Sequence, residues 1–156
     1  MTATVTETDR IEKEIVIRAP RSKVWRALTD SKEFGKWFQA EMRDPFVPGR
    51  RAEGNITHPG YEHVTLEVQV ERMEPEHLFS WRWHPYAVDP AQDYSGEPTT
   101  LVVFELEEVP EGTRLKVTES GFDQIPLARR DEAFRMNSGG WAGQVKNIAR
   151  YVGESQ

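Results

Sequence analysis

The sequence predicts an α+β fold in which an antiparallel sheet packs one face against a C-terminal helix. Three features of the 156-residue chain support this prediction. Apolar and polar residues alternate over most of the stretch from residue 51 to residue 120, at the two-residue period of half-buried strands. Prolines and glycines interrupt this stretch at intervals typical of turns. From about residue 130 the period becomes that of an amphipathic helix.

The chain is expected to begin with a strand and two short helices. A strand over residues 11–18 places its isoleucines on one face and stops before Pro20, a residue that suits the first turn of a helix. Apolar residues at helical spacing then predict a helix that runs to Asp30. A second helix is predicted up to Phe38, with Ser31 as its N-cap.

The strands of the sheet are predicted in the middle of the chain. Alternation predicts them over residues 51–57, 64–71, 77–84, 99–107 and 113–119. The turn at Pro110 and Gly112 joins the last two as the clearest hairpin. With the first strand and room for one more, the expected sheet has about six to seven strands.

The C-terminal helix is predicted in two pieces. Apolar residues recur near helical spacing up to Val152, but Gly139, Gly140 and Gly143 interrupt the pattern. We therefore expect a short helical piece first, followed by a main helix from about Gly140 to Val152.

Composition excludes several classes of function. There are 26 acidic and 20 basic residues, so the net charge is −6, and nucleic-acid binding is not expected because it requires a basic surface. The lack of cysteine excludes disulfides, thiol nucleophiles and cysteine-ligated metal centres, and it fits a cytoplasmic protein. No apolar run approaches the roughly 20 residues of a membrane-spanning helix. Residues 1–10 are expected to form a disordered polar tail, followed by one domain over residues 11–153.

The polar residues suggest little chemistry. The histidines His58, His63, His77 and His84 have no zinc-ligand spacing, so neither a metal site nor another cofactor is expected. There is no Gly-x-Ser-x-Gly nucleophile motif. Strand parity turns Glu119 inward, where it would hydrogen-bond a ligand or act as a general base. The alternative, which we prefer, is a structural pair or an exposed strand end, so Glu119 is only a candidate and no catalytic residue is assigned.

Aromatic residues form the main candidate binding set. The chain has five Trp, seven Phe and four Tyr, and many of them fall on faces that should point into the sheet's concave side. Such side chains suit a planar or apolar ligand, and the alternative is that they only fill the core. The predicted ligand-binding residues are Trp37, Phe38, Phe79, Trp81, Trp83, Phe104, Glu119, Phe122 and Trp141.

One long loop is a second candidate. The segment from Pro85 to Pro98 is longer than a hairpin connection requires. It would place the hydroxyls of Tyr86 and Tyr94 at the mouth of a cavity, or it is a mobile surface loop.

Several segments together carry a resemblance to a known family. Over about residues 11–152 the chain resembles the START-like, or SRPBCC, superfamily, and within it the subgroup named after the activator of the heat-shock-protein-90 ATPase. The segments that carry this resemblance are Ile15–Pro20, Val24–Asp30, Phe34–Phe38, Phe79–Trp83, Thr99–Leu106, Gly112–Phe122 and Gly140-Trp141.

This resemblance implies a helix-grip fold, in which a curved sheet wraps the C-terminal helix around an apolar cavity. It also implies binding of a hydrophobic or aromatic small molecule, such as a lipid, polyketide or flavonoid, without catalysis. A cyclase- or hydrolase-like enzyme and a chaperone-associated stress-response protein are the alternatives. The protein is expected to be a monomer, or a weak homodimer through the face that carries Leu101 and Val103.

Overall fold

A seven-stranded antiparallel sheet and three α-helices make up the fold in the computed structural model, which describes residues 10–89 and 91–154. The strands are β1 (Arg10–Ile17), β2 (Ala40–Met42), β3 (Arg51–Ile56), β4 (Thr65–Glu74), β5 (Leu78–Trp83), β6 (Thr100–Val109) and β7 (Gly112–Ser120). The helices are α1 (Arg21–Thr29), α2 (Ser31–Phe38) and α3 (Leu127–Glu154). This architecture confirms the predicted α+β helix-grip fold.

The order of the strands explains how the sheet forms. Their order is β1-β7-β6-β5-β4-β3-β2, so β2 to β7 form a meander that returns to β1. A register shift between Val70 and Arg72 marks a bulge in β4, and bulges increase the local twist and bend of a strand. Helix α3 packs against β1, β7 and both short helices, so it lies along the inner face of this sheet.

The core lies between the sheet and α3. Alternate residues of the strands are buried, as the two-residue period predicts, and α3 buries residues at helical spacing. The buried residues of β5, β6, β7 and α3 include Phe79, Trp81, Val102, Phe104, Leu115, Val117, Trp141, Val145, Ile148 and Val152.

The C-terminal helix is continuous, so the prediction of two pieces is wrong. Helix α3 spans 28 residues and passes through Gly139, Gly140 and Gly143 without a break. A glycine weakens a helix interior by about 1 kcal/mol relative to alanine, but it keeps its backbone N–H and carbonyl groups. The buried side chains on either side of the glycines hold the helix against the sheet, and this packing outweighs the lower propensity.

Two local features near the N-terminus also differ from the sequence analysis. The N-cap of α2 is Asp30, whose carboxylate accepts hydrogen bonds from the backbone N–H groups of Lys32 and Glu33, whereas Ser31 is the first helical residue. The seventh strand, β2, was allowed for in the strand count but not located, because three residues are too few to show alternation. Residues 1–9 of the predicted tail lie outside the described residues, and Arg10 begins β1.

None of the helices in the described part of the chain is both long enough and apolar enough to span a bilayer.

Two glycines allow a test of this packing, because alanine should act in opposite directions at them. At Gly54 of β3 a Cβ atom would lie 2.4 Å from the carbonyl oxygen of Glu41 and 2.8 Å from Cα of Met42. At Gly143, on the exposed side of α3, a Cβ atom would meet nothing within 4 Å. We expect Gly54→Ala to lower the free energy of unfolding by about 1–3 kcal/mol. Gly143→Ala should raise it by roughly 0.5–1 kcal/mol. Urea denaturation measures both values, and a shift in the same direction would contradict the described packing.

Candidate ligand-binding site

A cleft of about 140 Å³ opens between the end of α2, the end of β5 and the middle of α3. Phe38 and Trp83 are the last residues of α2 and β5. The α3 residues of the cleft are spaced at i, i+3, i+4 and i+7, which places them on one face of the helix. The residues that line the cleft are Phe38, Trp83, Asn137, Gly140, Trp141 and Gln144.

Three aromatic side chains form a continuous wall of this cleft. The ring centroids of Phe38 and Trp83 are 6.3 Å apart, those of Phe38 and Trp141 are 6.2 Å apart, and those of Trp83 and Trp141 are 5.9 Å apart. At these distances the rings pack on one another. A ligand would therefore lie against the wall rather than between its members.

Behind this wall lies the fully buried carboxylate of Glu119, near the end of β7. Its Oε2 accepts hydrogen bonds from Trp83 Nε1 at 2.7 Å and Thr100 Oγ1 at 2.5 Å. Its Oε1 accepts one from Trp141 Nε1 at 2.8 Å. The amide Nδ2 of Asn137 lies 3.0 Å from Oε1 and 3.2 Å from Oε2. Glu119 thus joins β5, β6 and α3 to β7.

The two indoles explain why a carboxylate occupies this position. An indole N–H can only donate a hydrogen bond, and the two indoles donate to different oxygens of Glu119. A side chain with a single acceptor oxygen would leave one of the two N–H groups buried without a partner. The carboxylate therefore fixes the orientation of two of the three rings in the wall.

Burial raises the pKa of Glu119, because a charged carboxylate loses its hydration inside the protein. The hydrogen bonds from Thr100, Trp83, Trp141 and Asn137 favour the charged form and offset part of this effect. Both oxygens are occupied by these donors, and Glu119 is not among the residues that line the cleft. This geometry fits the structural alternative of the sequence analysis and offers no lone pair to a substrate.

The other predicted site residues fall into two groups. Phe79, Trp81, Phe104 and Phe122 are enclosed in the core and do not line the cleft. Trp37 is buried beside a second, polar cleft, and its Nε1 donates to the carbonyl oxygen of Ala27 at 2.8 Å. The structure therefore brings Phe38, Trp83, Trp141 and Glu119 together at the cleft. The remaining five do not line it, although three of them pack against its wall: Phe104 on Trp141, Trp81 on Trp83 and Trp37 on Phe38.

Sequence reasoning missed three residues of the cleft, namely Asn137, Gly140 and Gln144. Their spacing from Trp141 was the available signal, because residues three and four positions away lie on the same helix face. The predicted helix break at Gly139 and Gly140 concealed this pattern.

The long loop is tied to the start of α3 by Arg129. Its guanidinium donates to the Glu97 carboxylate at 2.8 Å and to the carbonyl oxygen of Pro85 at 2.8 Å. It also lies 4.7 Å from the ring centroid of Tyr94. Neither Tyr86 nor Tyr94 is among the residues that line the cleft, so their hydroxyls are not at its mouth.

Residues suited to metal binding are dispersed. Within residues 10–89 and 91–154, no three His, Asp or Glu side chains are grouped as metal ligands would be. Three of the histidines instead contact other groups: His58 the side chain of Gln39, and His63 and His84 the carbonyl oxygens of Val88 and Glu97.

Replacement of Glu119 by glutamine should destabilise the protein. Because the amide has one acceptor oxygen, one of the two indole N–H groups would lose its partner, at a cost of about 1–3 kcal/mol. The matched control is Glu105→Gln, which removes the same charge at an exposed position on the neighbouring strand β6. Chemical denaturation at neutral pH measures both variants. Equal stability of the two would show that the indoles do not depend on this carboxylate.

The raised pKa of Glu119 also predicts the sign of a pH dependence. Between the usual glutamate pKa of about 4.3 and the higher value in the folded state, the folded protein holds a proton that the unfolded chain has released. The contribution of Glu119 to the free energy of unfolding is therefore complete below this window and declines as the pH rises through it. We expect the stability of the wild type minus that of Glu119→Gln to decrease from pH 4 upward. Denaturation midpoints of both proteins over a pH series test this sign. If the wild type instead gains stability over Glu119→Gln as the pH rises, the prediction is wrong.

Comparison with known proteins gives solved structures of the same fold. Protein MLL2253 from Mesorhizobium loti has a TM-score of 0.74 and 24% identity, over 94% of this chain and 98% of that chain. The Aha1 dimer from Colwellia psychrerythraea has a TM-score of 0.66 and 19% identity, over 89% of this chain and 92% of that chain. DynU16, from the dynemicin biosynthetic locus, has a TM-score of 0.71 and 22% identity. The match covers 92% of this chain but only 46% of DynU16. At these identities the similarity shows the fold alone.

The family assignment comes from the sequence. No curated protein sequence matches this chain. The sequence pattern of one family, described as Activator of Hsp90 ATPase homolog 1-like protein, matches residues 18–153. This range covers most of the chain and includes the helices, strands β2 to β7 and every residue of the cleft. The chain therefore belongs to the family of Activator of Hsp90 ATPase homolog 1-like proteins.

Proposed function

We propose that this protein binds a small apolar or aromatic molecule in the cleft between α2, β5 and α3, without a chemical step. The observation that carries this proposal is the convergence of Phe38, Trp83 and Trp141, from three separate elements, on one open space. Four neighbouring aromatic residues of the core are enclosed and do not line this cleft, namely Phe79, Trp81, Phe104 and Phe122. Burial of an apolar ring against the wall contributes about 25 cal/mol per Å² of area removed from water.

The volume of the cleft limits the size of the ligand. A cavity of about 150 Å³ in another, engineered protein holds benzene, and the cleft here is close to this size at about 140 Å³. A single aromatic ring therefore matches the space of the cleft, whereas a flavonoid or a long acyl chain would extend beyond it into solvent. For a ligand of so few atoms, an affinity in the range of about 10 µM to 1 mM is expected.

The geometry does not favour an enzyme. Glu119 was the one carboxylate considered as a base, and both of its oxygens accept hydrogen bonds from protein donors. No histidine lines the cleft. Binding without turnover is therefore the simpler proposal for this site.

The exposed apolar side chains do not favour a large partner surface either. Val16 lies on β1 at one edge of the sheet, whereas Val47 and Tyr61 flank β3 at the other edge. Leu127 and Met136 are nine residues apart on α3 and therefore lie on opposite sides of that helix. Single exposed apolar residues are normal, whereas a protein interface requires a contiguous patch. We therefore do not extend the chaperone-associated alternative to this chain.

For the oligomeric state, we propose a monomer or a weak homodimer. Leu101 and Val103 are half-buried on the outer face of β6. Their cross-strand neighbours include Arg82, Thr118 and Ser120, which are polar. So small an apolar area would support only weak association. The relative from Colwellia psychrerythraea, solved as a dimer, supports keeping this option.

NMR titration with single-ring aromatic probes tests the proposed function. The five tryptophans provide five indole N–H signals. With toluene or phenol as the probe, we expect the signals of Trp83 and Trp141 to shift in a saturable way. The signal of Trp37 should stay unchanged, because its N–H is bonded to the carbonyl of Ala27 away from the cleft. If no probe shifts the two signals, or if all the indole signals shift equally, the proposed site is wrong.

A further inference from the structure

We propose that the ligand of this cleft is a neutral single-ring aromatic molecule with one hydrogen-bond donor, of the phenol class, and that Gly140 reserves the space for its ring. This inference rests on the proposed function and adds the chemical class of the ligand. It follows from the polar groups of the cleft, from the absence of charge among its lining residues, and from a glycine that packing does not require.

Asn137 provides the acceptor for the ligand's donor. Its Nδ2 donates to both oxygens of Glu119, at 3.0 and 3.2 Å. The structure thus turns the donor end of the amide, rather than its oxygen, towards Glu119. The amide oxygen Oδ1 therefore points away from Glu119, and it accepts no hydrogen bond from the described residues. Asn137 lines the cleft, and in the proposed complex its Oδ1 accepts the hydrogen bond of the ligand's donor.

Gln144, the other amide of the cleft, is already engaged. Its Oε1 accepts a hydrogen bond from Asn147 Nδ2 at 3.1 Å, and its Nε2 lies 3.4 Å from the carbonyl oxygen of Phe38. The oxygen of this side chain thus already has one partner within the protein. Asn137 Oδ1 has none among the described residues, so it is the freer side-chain acceptor of the cleft and matches a ligand with one donor group.

The cleft also selects against anions. Its lining residues are aromatic side chains, two amides and a glycine, and none carries a charge. A carboxylate bound there would lose hydration without gaining a cationic partner among the lining residues. A neutral hydroxyl or amine on an aromatic ring avoids this penalty. Benzoate and fatty-acid anions are therefore poor candidates.

Gly140 keeps part of this space open. A Cβ atom built at Gly140 would meet nothing within 4 Å, so alanine would fit there without a clash. Alanine would also favour the helix, since glycine has one of the lowest helix propensities. Close packing therefore does not require this glycine. It lies between Asn137 and Gln144 on the helix face that lines the cleft, where a methyl group would take up space that a ligand ring needs.

Two nearby glycines provide matched controls. Gly139 and Gly143 lie in the same part of α3, and a Cβ atom at either would also meet nothing within 4 Å. Neither is among the residues that line the cleft. Alanine at the three positions should stabilise the helix similarly, while only Gly140→Ala changes the shape of the cleft.

The test compares two probes of nearly equal size, phenol and toluene, and adds benzoate as the anion. Dissociation constants come from NMR titration of the Trp83 and Trp141 indole signals in the wild type and in Gly139→Ala, Gly140→Ala and Gly143→Ala. We expect the wild type to bind phenol about 3- to 10-fold more tightly than toluene, as one hydrogen bond implies. Benzoate should bind at least about 10-fold more weakly than phenol. Gly140→Ala should weaken phenol binding by about 5-fold or more, while the two controls stay within about 2-fold of the wild type.

The outcomes separate this inference from the proposed function. If phenol and toluene both bind with equal affinity, the cleft is a binding site, but the role of the Asn137 acceptor is wrong. If Gly140→Ala binds phenol as the wild type does, Gly140 does not reserve space. If all three alanine variants lose binding equally, the glycines act through the flexibility of α3 instead, which also overturns the inference. If no probe moves the two indole signals in the wild type, the proposed function and this inference both fail.

Discussion

The buried carboxylate of Glu119 is the constraint on which the site depends. A charged or polar group without hydration must be satisfied by the protein, and four donors from three different elements meet this requirement. Two of these donors are the indoles of Trp83 and Trp141, which form most of the wall of the cleft. The same hydrogen bonds therefore join α3 to the sheet and orient the wall of the cleft, in addition to the packing of the buried side chains of α3.

This arrangement also determines which chemistry the cleft can support. The hydrogen bonds that orient the wall occupy both oxygens of Glu119, so this carboxyl group interacts with the protein and not with the cleft. What remains for a ligand is a set of aromatic faces and the oxygen of Asn137. Such a surface favours binding over turnover, and the limited volume favours a single ring. The proposed function follows from this difference: the oxygens of Glu119 are used within the fold, whereas the aromatic faces and the Asn137 oxygen remain for a ligand.

Local patterns in the sequence were sufficient for most of the fold. The alternation in β4 and in the β6–β7 hairpin reflects the two faces of a half-buried strand, and the period of α3 reflects its buried stripe. The errors arose where a local rule competes with tertiary packing. Three glycines in five residues predicted a break in α3, but Trp141, Val145 and Ile148 hold that segment in the core. Strand β2 exists because β3 pairs with it, and three residues carry too little pattern of their own.

By itself, the sequence determined the fold class, the family resemblance and the inward direction of Glu119 and of the aromatic residues, because these depend on periodicity and on the order of motifs along the chain. Only the tertiary structure decided which of the inward aromatic residues line an open cleft. Phe79 and Trp83 have the same parity on β5, yet the first is enclosed and the second borders the cleft. The difference depends on what α2 and α3 place opposite each ring. The places of Asn137 and Gly140 in the cleft were decided in the same way, because their helical spacing puts them on the face of Trp141 but does not say what lies opposite.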